Sequence, residues 1–388
     1  MKKPDATRMI DGQPSWRIAS QATEAFVAET GGHLAPVRFH LPGGTVQPFA
    51  IAPWHKETLP KAVPPILRVL RGDFFCMPFG GNATKFGKEA HPPHGETANR
   101  NWTCLGTETS DGRSTLRLKM KTRVRKAAVD REISVAENQW AVYSRTVIRG
   151  GDGPMSFGHH ATLKFPDRPG SGVVTTSPIH FGRVAPLPVE LPEEKGYSIL
   201  KPGARFRTLD RVPTITGEMA DLSRYPARRG YEDIAILVSK PGRFFAWTAV
   251  TFPEEGYVWF TLKDARVLRQ TLMWMSNGGR HFPPWNGRHV NVLGLEEVTS
   301  YFHYGLAESA APNPLSEAGF PTTAMLDPLH PLTVNTIMAV APVSKGFDKV
   351  ADILPADQAG HLSIISASGK RVIVSLDWEF LRGTAGPG

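Results

Sequence analysis

The chain has 388 residues, of which 41% are apolar and 21% charged, and these ordinary values exclude a disordered or fibrous protein. Its net charge of +9 would suit an anionic partner such as nucleic acid, a phosphate ester or an acidic sugar. With 37 glycines, 34 prolines and no Gly-X-Y period, the composition indicates many turns between short elements and favours β-structure.

The N-terminal segment has charged residues and a proline where a signal peptide would need an apolar core. No window approaches 18 consecutive apolar residues, so we expect no membrane span. Two cysteines, Cys76 and Cys104, are too few for a disulfide framework and lack metal-ligand spacing. We therefore expect a cytoplasmic protein with reduced thiols, an N-terminal extension over residues 1–30 and a single domain over residues 31–388.

Runs of apolar residues bounded by Gly, Pro, Asn and Asp predict strands along most of the chain. In chain order they cover residues 34–41, 50–54, 102–108, 115–124, 128–135, 140–148, 234–239, 244–251, 257–262, 270–275, 290–298, 362–366 and 371–376. Helical periodicity is scarce, and only residues 303–311 and 346–353 predict short helical turns. Because strands follow one another without intervening helices, the sequence predicts an all-β fold, a large antiparallel β-sandwich, rather than a parallel α/β sheet.

One cluster of basic residues predicts an exposed strand face rather than a nucleic-acid site. Its members alternate with Leu, Met, Thr and Val, which is the period of a half-exposed strand. The basic positions are Lys119, Lys121, Arg123, Arg125 and Lys126. We therefore expect no nucleic-acid partner and no membrane partner.

The familiar cofactor and metal motifs are absent from the sequence. There is no GxxxxGK[ST] loop, no GxGxxG opening a helix, and no HExxH, CxxC or GxSxG string. We therefore expect neither a cofactor nor a metal ion, and expect any catalytic groups to be polar side chains from separate parts of the chain.

Four short strings place such polar side chains among aromatic, apolar or turn-forming neighbours. Their polar members are Arg71, His94, Asn99, His159, His160, Glu296 and Glu297. A buried Arg is costly unless it meets an anion or hydroxyl groups, and a loop His between Pro93 and Gly95 is in a typical place for function. Each residue alone also has a simpler interpretation as a structural or exposed side chain, so none is specific by itself.

The order and surroundings of these strings resemble the galactose mutarotase-like superfamily, the aldose 1-epimerases and their less characterised bacterial relatives. Arg71 with the following Gly, aromatic run and Pro-Phe-Gly is similar to that family's first sugar-binding arginine. His94-Gly95, with Trp102 downstream, is similar to its His-Gly motif. The resemblance covers roughly residues 30–380.

Two further motifs match with departures. Gly158-His159-His160 is similar to the family's Gly-x-His step, and counting back from the later Phe-Pro pair assigns His160 rather than His159 to the acid position. Relatives often continue with Pro and an aromatic residue, where this chain has Ala and Thr. The Gly-Leu-Glu ending at Glu296 is similar to the catalytic segment. The usual Glu-Pro is Glu296-Glu297 here, which leaves open which of the two glutamates is the base, although the Gly-Leu-Glu match favours Glu296.

The resemblance implies a supersandwich of two large antiparallel sheets with a sugar site on a concave face. It implies an aldose 1-epimerase of carbohydrate metabolism, which opens and recloses a sugar hemiacetal by general acid and base catalysis. Glu296 would be the base and His160 the acid, with His94 on the ring-oxygen side. The residues expected to bind the sugar or sugar derivative are Arg71, Asn99, Trp102, His159 and Trp274. Since neighbouring strand residues point to opposite faces, we expect Glu297 to matter little for exchange.

Two other functions stay open at this stage. A non-catalytic carbohydrate-binding or sensing protein on the same sandwich is the alternative, since the departures after His160 and Glu296 would suit lost turnover. A polysaccharide lyase ranks last because no helical toroid segment accompanies the sandwich. The sugar's configuration, whether it is phosphorylated or acidic, and the oligomeric state are not readable from the sequence.

Overall fold

The structure, a computed structural model, describes residues 6–383 and confirms the predicted all-β fold. Strands make up 47% of the chain and helices 6%. Within the described residues every pair of neighbouring strands is antiparallel, as successive hairpins require. No helix in this part of the chain is long and apolar enough to cross a membrane.

The elements are short and numerous, as the glycine and proline content predicts. The strands are β1 (Arg8–Ile10), β2 (Gln13–Ala19), β3 (Thr23–Ala28), β4 (Leu34–Leu41), β5 (Gly44–Val46), β6 (Phe75–Cys76), β7 (Thr103–Ser110), β8 (Arg113–Lys121), β9 (Ala127–Ala136), β10 (Ala141–Gly150), β11 (Gly153–Met155), β12 (Phe157–His159), β13 (Thr162–Lys164), β14 (Gly172–Thr176), β15 (Ile179–Val184), β16 (Arg205–Phe206), β17 (Val212–Pro213), β18 (Met219–Ala220), β19 (Arg224–Tyr225), β20 (Tyr231–Ser239), β21 (Ala246–Phe252), β22 (Tyr257–Lys263), β23 (Gln270–Asn277), β24 (Val292–Thr299), β25 (Ala324–Leu326), β26 (Leu332–Pro342), β27 (Val350–Pro355), β28 (His361–Ser366) and β29 (Arg371–Ser375). The α-helices are α1 (Pro65–Val69) and α2 (Leu306–Ala310), and single 3₁₀ turns cover Glu96–Ala98, Pro192–Glu194 and Trp378–Arg382.

Two large sheets form the centre of the molecule. The nine-stranded sheet runs β19-β14-β21-β22-β26-β10-β9-β8-β7. The eight-stranded sheet runs β16-β15-β20-β23-β24-β12-β6, with β13 also pairing with β24. Side chains such as Met273 and Leu295 of the eight-stranded sheet belong to one buried apolar cluster with Trp259 and Val340 of the nine-stranded sheet. This shared core is why the central strands are apolar almost throughout.

Two smaller sheets cover the nine-stranded sheet. The five-stranded meander β1-β2-β3-β4-β5 shares a core with β8 and β9, with Trp16 and Val27 in the same cluster as Leu116 and Ile133. The three-stranded sheet β27-β28-β29 packs on β22 and β26 in a separate apolar cluster. The predicted division at residue 30 lies in the turn between β3 and β4, which pair with one another.

Three sequence expectations differ from the structure in physically informative ways. Residues 50–54 do not form a strand, and within this segment only Ile51 makes an isolated β-bridge, to Arg71. The segment is apolar because Ala50, Ala52 and Trp54 are buried. Residues 346–353 hold no helix, since β27 begins at Val350, whereas the turn expected over residues 303–311 contains α2. The basic strand ends at Lys121, and Arg125 is buried against Glu89.

Candidate active site

A cavity of about 330 Å³ opens on the face of the eight-stranded sheet that points away from the core. Its volume lies within the range of ligand sites in proteins. The lining residues are Pro64, Ile66, Leu67, Leu70, Phe74, Gly81, Pro93, His94, His160, Glu190, Ile234, Leu272, Trp274, Arg280, Phe282, Trp285, Glu296 and His303. Four predicted site residues, His94, His160, Trp274 and Glu296, are therefore brought together from separate parts of the chain.

Strand alternation decides which glutamate of β24 faces this cavity. Glu296 pairs across the sheet with Leu272 of β23, and both side chains line the cavity. Leu295 lies in the core between the two large sheets, and Glu297 shares that side because side chains alternate along a strand. The geometry agrees with the choice of Glu296 that the Gly-Leu-Glu resemblance favours.

Glu297 has a role that the sequence expectation did not include. Its carboxylate accepts hydrogen bonds from Thr248 Oγ1 (2.8 Å) and Thr271 Oγ1 (2.7 Å), and it contacts the buried Lys263 ammonium in an ion pair. Lys263 also donates to the carbonyl of Gln270 at 2.8 Å. Burial lowers the pKa of Lys263, and the charge of Glu297 opposes that shift. Glu297 is thus an internal counter-ion between the sheets.

His160 lies where β12 gives way to β13 on the edge of the cavity. Its backbone N–H donates to the carbonyl of Phe74 at 2.9 Å, and its ring stacks on the Phe74 ring with 4.5 Å between centroids. Its Nε2 lies 3.4 Å from Oε1 of Glu296. These contacts fix the imidazole against the carboxyl group, in the arrangement that an acid and base pair needs.

Gly294 provides the room for the Glu296 carboxyl group. A Cβ atom at residue 294 would lie 2.5 Å from Glu296 Oε1 and 3.1 Å from Cβ of Trp274. Oε1 is buried and has no hydrogen-bond partner of good geometry, although His160 is near. An orphaned buried oxygen of this kind is unusual in folded proteins and indicates a place for a ligand group.

The His94 loop brings a second imidazole to the same place. His94 has a positive φ of 57°, and the φ of Gly95 is 76°. A Cβ on Gly95 would lie 1.9 Å from the carbonyl oxygen of Met77, so only glycine fits there. The rings of His94 and His160 meet edge to face at 4.8 Å. Left-handed backbone outside glycine carries strain, and such strain is frequent at functional sites.

Burial sets the protonation of these groups. Desolvation raises the pKa of Glu296 well above its ordinary 4.5, and the nearby charge of Asp73 adds to the shift. Desolvation lowers the pKa of His160 to about 3 and that of His94 well below 6.5. Burial therefore favours the protonated form of the Glu296 carboxyl group and the neutral form of both imidazoles, a state in which the pair holds a transferable proton without net charge.

Four other predicted sugar-binding residues lie outside the cavity, and Arg71 is the clearest case. Its guanidinium is buried and donates to three backbone carbonyls, those of Val69 (3.1 Å), Ile10 (3.1 Å) and Asp11 (2.9 Å). The expected convergence of Arg71 with the two histidines and Glu296 therefore does not occur. The carbonyls of the first strand and its turn provide the acceptors that a sugar or phosphate was expected to provide.

His159, Asn99 and Trp102 likewise have internal partners. His159 Nδ1 contacts Asp73 at 2.9 Å, and Asp73 also pairs with the buried Arg131 at 3.1 Å. Asn99 donates to the carbonyls on both sides of His94 and accepts from α1, and Trp102 Nε1 donates to the carbonyl of Thr97 at 3.0 Å. These side chains hold the structure behind the cavity rather than line it.

The structure adds residues that the sequence analysis missed. Glu232 of β20 accepts hydrogen bonds from Trp274 Nε1 (2.9 Å) and Ser276 Oγ (2.8 Å), and burial raises its pKa to about 7. Arg280 lies over the Trp285 ring at 4.5 Å and is paired with Glu190 at the cavity wall. In the sequence, the only indication of Glu232 is an acidic residue at the start of an otherwise apolar strand. No sequence pattern indicates Arg280 or Glu190.

Within residues 6–383, no group of three or more His, Cys, Asp or Glu side chains is arranged to hold a metal ion. The side chains that gather at the cavity are instead suited to moving a proton between neighbouring oxygen atoms of a bound molecule.

No family model matches the sequence, and no curated protein matches it. Solved structures do match the fold. A protein from Escherichia coli K12, provisionally named an aldose 1-epimerase, has a TM-score of 0.55 and 14% identity, with 85% of this chain and 99% of that chain covered. A galactose mutarotase related enzyme from Lactobacillus acidophilus gives 0.53 and 11%, with 85% and 99% covered.

A protein from Klebsiella pneumoniae, also provisionally named an aldose 1-epimerase, has a TM-score of 0.58 and 14% identity, with 84% of this chain and 78% of that chain covered. The chain therefore has the galactose mutarotase-like β-sandwich fold, as the sequence resemblance implied. At these identities the likeness concerns the fold, and the chemistry has to be argued from the cavity.

Proposed function

We propose that the protein is a carbohydrate-active isomerase of the aldose 1-epimerase type, which interconverts the anomers of a reducing sugar. The observation that carries this proposal is the meeting of His94, His160 and Glu296 in one cavity on the mutarotase-like sandwich. The 3.4 Å contact between His160 and Glu296 supports it, since one acid and one base acting on adjacent sugar oxygens are what the reaction needs.

One proton on Glu296 and a neutral His160 are sufficient for a reversible ring opening. In the uncharged state, the Glu296 carboxyl group donates its proton to the ring oxygen while His160 accepts the proton of the anomeric hydroxyl group. The bond between C1 and the ring oxygen breaks and the C1 carbonyl forms. Rotation about C1–C2 and the reverse transfers close the ring as the other anomer and restore both side chains.

This direction of transfer reverses the roles expected from the resemblance, in which Glu296 was the base and His160 the acid. The reason is burial, which favours the neutral pair over a buried ion pair before the sugar reacts. In both assignments the pair holds one proton before the sugar reacts, on Glu296 in one and on His160 in the other. Each side chain serves as acid in one half of the reaction and as base in the other.

Trp274 and Trp285 form the aromatic part of the cavity wall, with His289 stacked on one face of Trp274 and Arg280 lying over Trp285. Trp274 meets the His160 ring edge to face at 5.7 Å, and Trp285 lies across Trp274 at 6.0 Å. The hydrogen bond from Trp274 Nε1 to Glu232 fixes the orientation of this indole in the wall.

Saturation-transfer NMR on the anomeric protons of reducing hexoses and deoxyhexoses tests the proposal. We expect exchange between anomers above the rate in buffer with an equal mass of an inert protein. A sugar that shifts the protein's signals while its anomers exchange at the buffer rate would reject the enzyme and leave the carbohydrate-binding alternative.

A further inference from the structure

One wall of the cavity is formed by α1 and the residues flanking it. Its members, which we call the aliphatic wall, are Pro64, Ile66, Leu67 and Leu70. Leu272 and Ile234 of the sheet and Phe282 of the following loop extend the apolar lining. A sugar hydroxyl group placed against these side chains would find no side-chain donor or acceptor.

The backbone of the aliphatic wall offers little to a hydroxyl group either. The N–H of Ile66 donates to Asn99 Oδ1 at 3.1 Å, and the N–H of Leu67 donates to the Pro64 carbonyl at 3.1 Å. The carbonyl of Leu67 accepts from Trp54 Nε1 at 2.6 Å. Proline has no N–H, so the polar atoms of this segment are largely used within the protein.

The charges at the cavity are also already compensated. Among the described residues that line it, Arg280 is the only Lys or Arg, and it contacts the carboxylate of Glu190 while stacking on Trp285. Burial also favours the uncharged forms of Glu296 and of the imidazoles of His94, His160 and His303. An anionic substituent would therefore have to displace Glu190 to find a cation.

We propose that the substrate is an uncharged aldose whose end remote from the anomeric carbon is a methyl group, as in a 6-deoxyhexose. This inference rests on the proposed function and names its substrate class. The methyl group packs on the aliphatic wall, where a hydroxymethyl group loses its hydrogen bonds to water without replacement. A phosphate or carboxylate at that end meets the same wall as an unpaired charge.

Matched sugars test this directly. The pairs are 6-deoxy-D-glucose with D-glucose, and 6-deoxygalactose with galactose in both the D and L series, with D-glucose 6-phosphate and D-glucuronate as anionic probes. For each sugar, NMR titration gives Kd and saturation transfer gives kcat/KM for anomer exchange. We expect at least one 6-deoxy sugar to have a Kd about 10-fold or more below that of its hydroxylated partner and a kcat/KM about 10-fold or more above it. The hydroxylated sugar both loses the methyl contact and buries an unpaired hydroxyl group.

A wall variant and a matched control locate the effect. Leu67→Gln places an amide in the aliphatic wall and is expected to reduce the deoxy preference to about 3-fold or less. Leu329→Gln makes the same change at a side chain that is 83% exposed, and should leave the preference intact.

The outcomes separate the two proposals. Equal or better binding of the hydroxylated or anionic sugars overturns the substrate class, whether or not exchange is seen. A deoxy preference in Kd with no exchange of any aldose supports the substrate class and rejects the isomerase. A preference that Leu67→Gln leaves unchanged removes the aliphatic wall as its source and overturns the inference.

Discussion

Gly294 determines where the carboxyl group of Glu296 can lie. The carboxyl oxygen Oε1 lies 2.5 Å from the point where a Cβ at residue 294 would be, and Cβ of Trp274 lies 3.1 Å from the same point. The position of the proposed acid therefore depends on a residue without a side chain. Close approach by a neighbouring group is one of the physical reasons for glycine inside a strand.

Gly294→Ala should displace Glu296 and lower the rate of anomer exchange about 10-fold or more, because proton transfer depends on sub-ångström placement. Gly43→Ala is the control, since a Cβ there meets nothing within 4 Å. Exchange rates are measured by saturation transfer, with circular dichroism to verify folding. Equal rates for the two variants would mean that the carboxyl group does not act from its position in the structure.

Asn99 is a positioning residue by its contacts, although the sequence analysis expected it to bind sugar. Its side chain donates to the carbonyls of Pro93 (2.6 Å) and Gly95 (2.7 Å), on either side of His94, and accepts from the N–H of Ile66. It thus joins the His94 loop to α1. One amide satisfies three buried backbone groups, which only Asn or Gln can do.

Asn99→Ala should lower the free energy of unfolding by about 1–3 kcal/mol, the usual range when buried groups lose a partner. If Asn99 only positions His94, kcat for anomer exchange falls while the Kd for sugar stays within about 2-fold of wild type. Urea denaturation and NMR titration provide these values. A large rise in Kd with unchanged stability would instead indicate direct contact with the sugar.

At the scale of the elements, the side chains on the two faces of β24 fix its register in the sheet. Its cavity face presents Glu296, and its core face presents Glu297 to Lys263 of β22 and to threonines of β21 and β23. A slip of one residue would exchange the two glutamates and bury the wrong one. The ion pair therefore fixes which carboxyl group reaches the cavity.

Glu297→Gln should reduce the free energy of unfolding by about 3–5 kcal/mol, because the Lys263 ammonium remains buried without its counter-ion. The double variant Lys263→Met with Glu297→Leu removes both charges and should recover most of that loss. Urea denaturation measures all three proteins. A Glu297→Gln variant as stable as wild type would show that the ion pair is dispensable for folding.

At the scale of the whole molecule, stability should depend on pH in the acidic range. Burial lowers the pKa of five imidazoles, to about 3 for three of them, to about 4 for one and well below 6.5 for the last. They are, in that order, His33, His160, His289, His303 and His94. Each contributes stability that is present above pH 6.5 and is lost as the pH falls toward the folded-state pKa.

Three buried carboxyl groups oppose this trend. The pKa values of Glu232 (about 7), Asp233 and Glu296 are raised mainly by burial, so their contributions are present below pH 4 and are lost as the pH rises. Between pH 6 and 4.5, the protons that these five imidazoles take up on unfolding outnumber the protons that the three carboxyl groups release. Unfolding therefore takes up protons, and its free energy should fall by roughly 1–3 kcal/mol per pH unit on acidification.

Urea denaturation at half-unit steps from pH 7 to 4.5 measures this slope. A free energy of unfolding that rises on acidification would show that the carboxyl groups dominate. A flat profile would show that the three carboxyl groups cancel the imidazoles, which contradicts the expected excess of proton uptake on unfolding.

The fold could be predicted from the sequence because its signals are local. Alternation along residues such as 115–121 predicts a strand whatever it later pairs with. Four motifs in order carried the resemblance that singled out His94, His160 and Glu296. Arg71 and His159 could not be interpreted in this way. An Arg or His among aromatic residues signals burial with polar partners, and the partners of Arg71 are carbonyls about 60 residues away that leave no mark in the sequence.

The central claim is that Glu296 and His160 together carry out the two proton transfers that open and close the sugar ring. The most direct measurement compares the anomer exchange catalysed by wild type, Glu296→Gln, His160→Asn and the double variant, with sugar binding measured in each. Each single change should lower exchange about 100-fold or more while Kd changes only a few-fold, and the double variant should be scarcely worse. Exchange at the wild-type rate in folded Glu296→Gln would contradict the account.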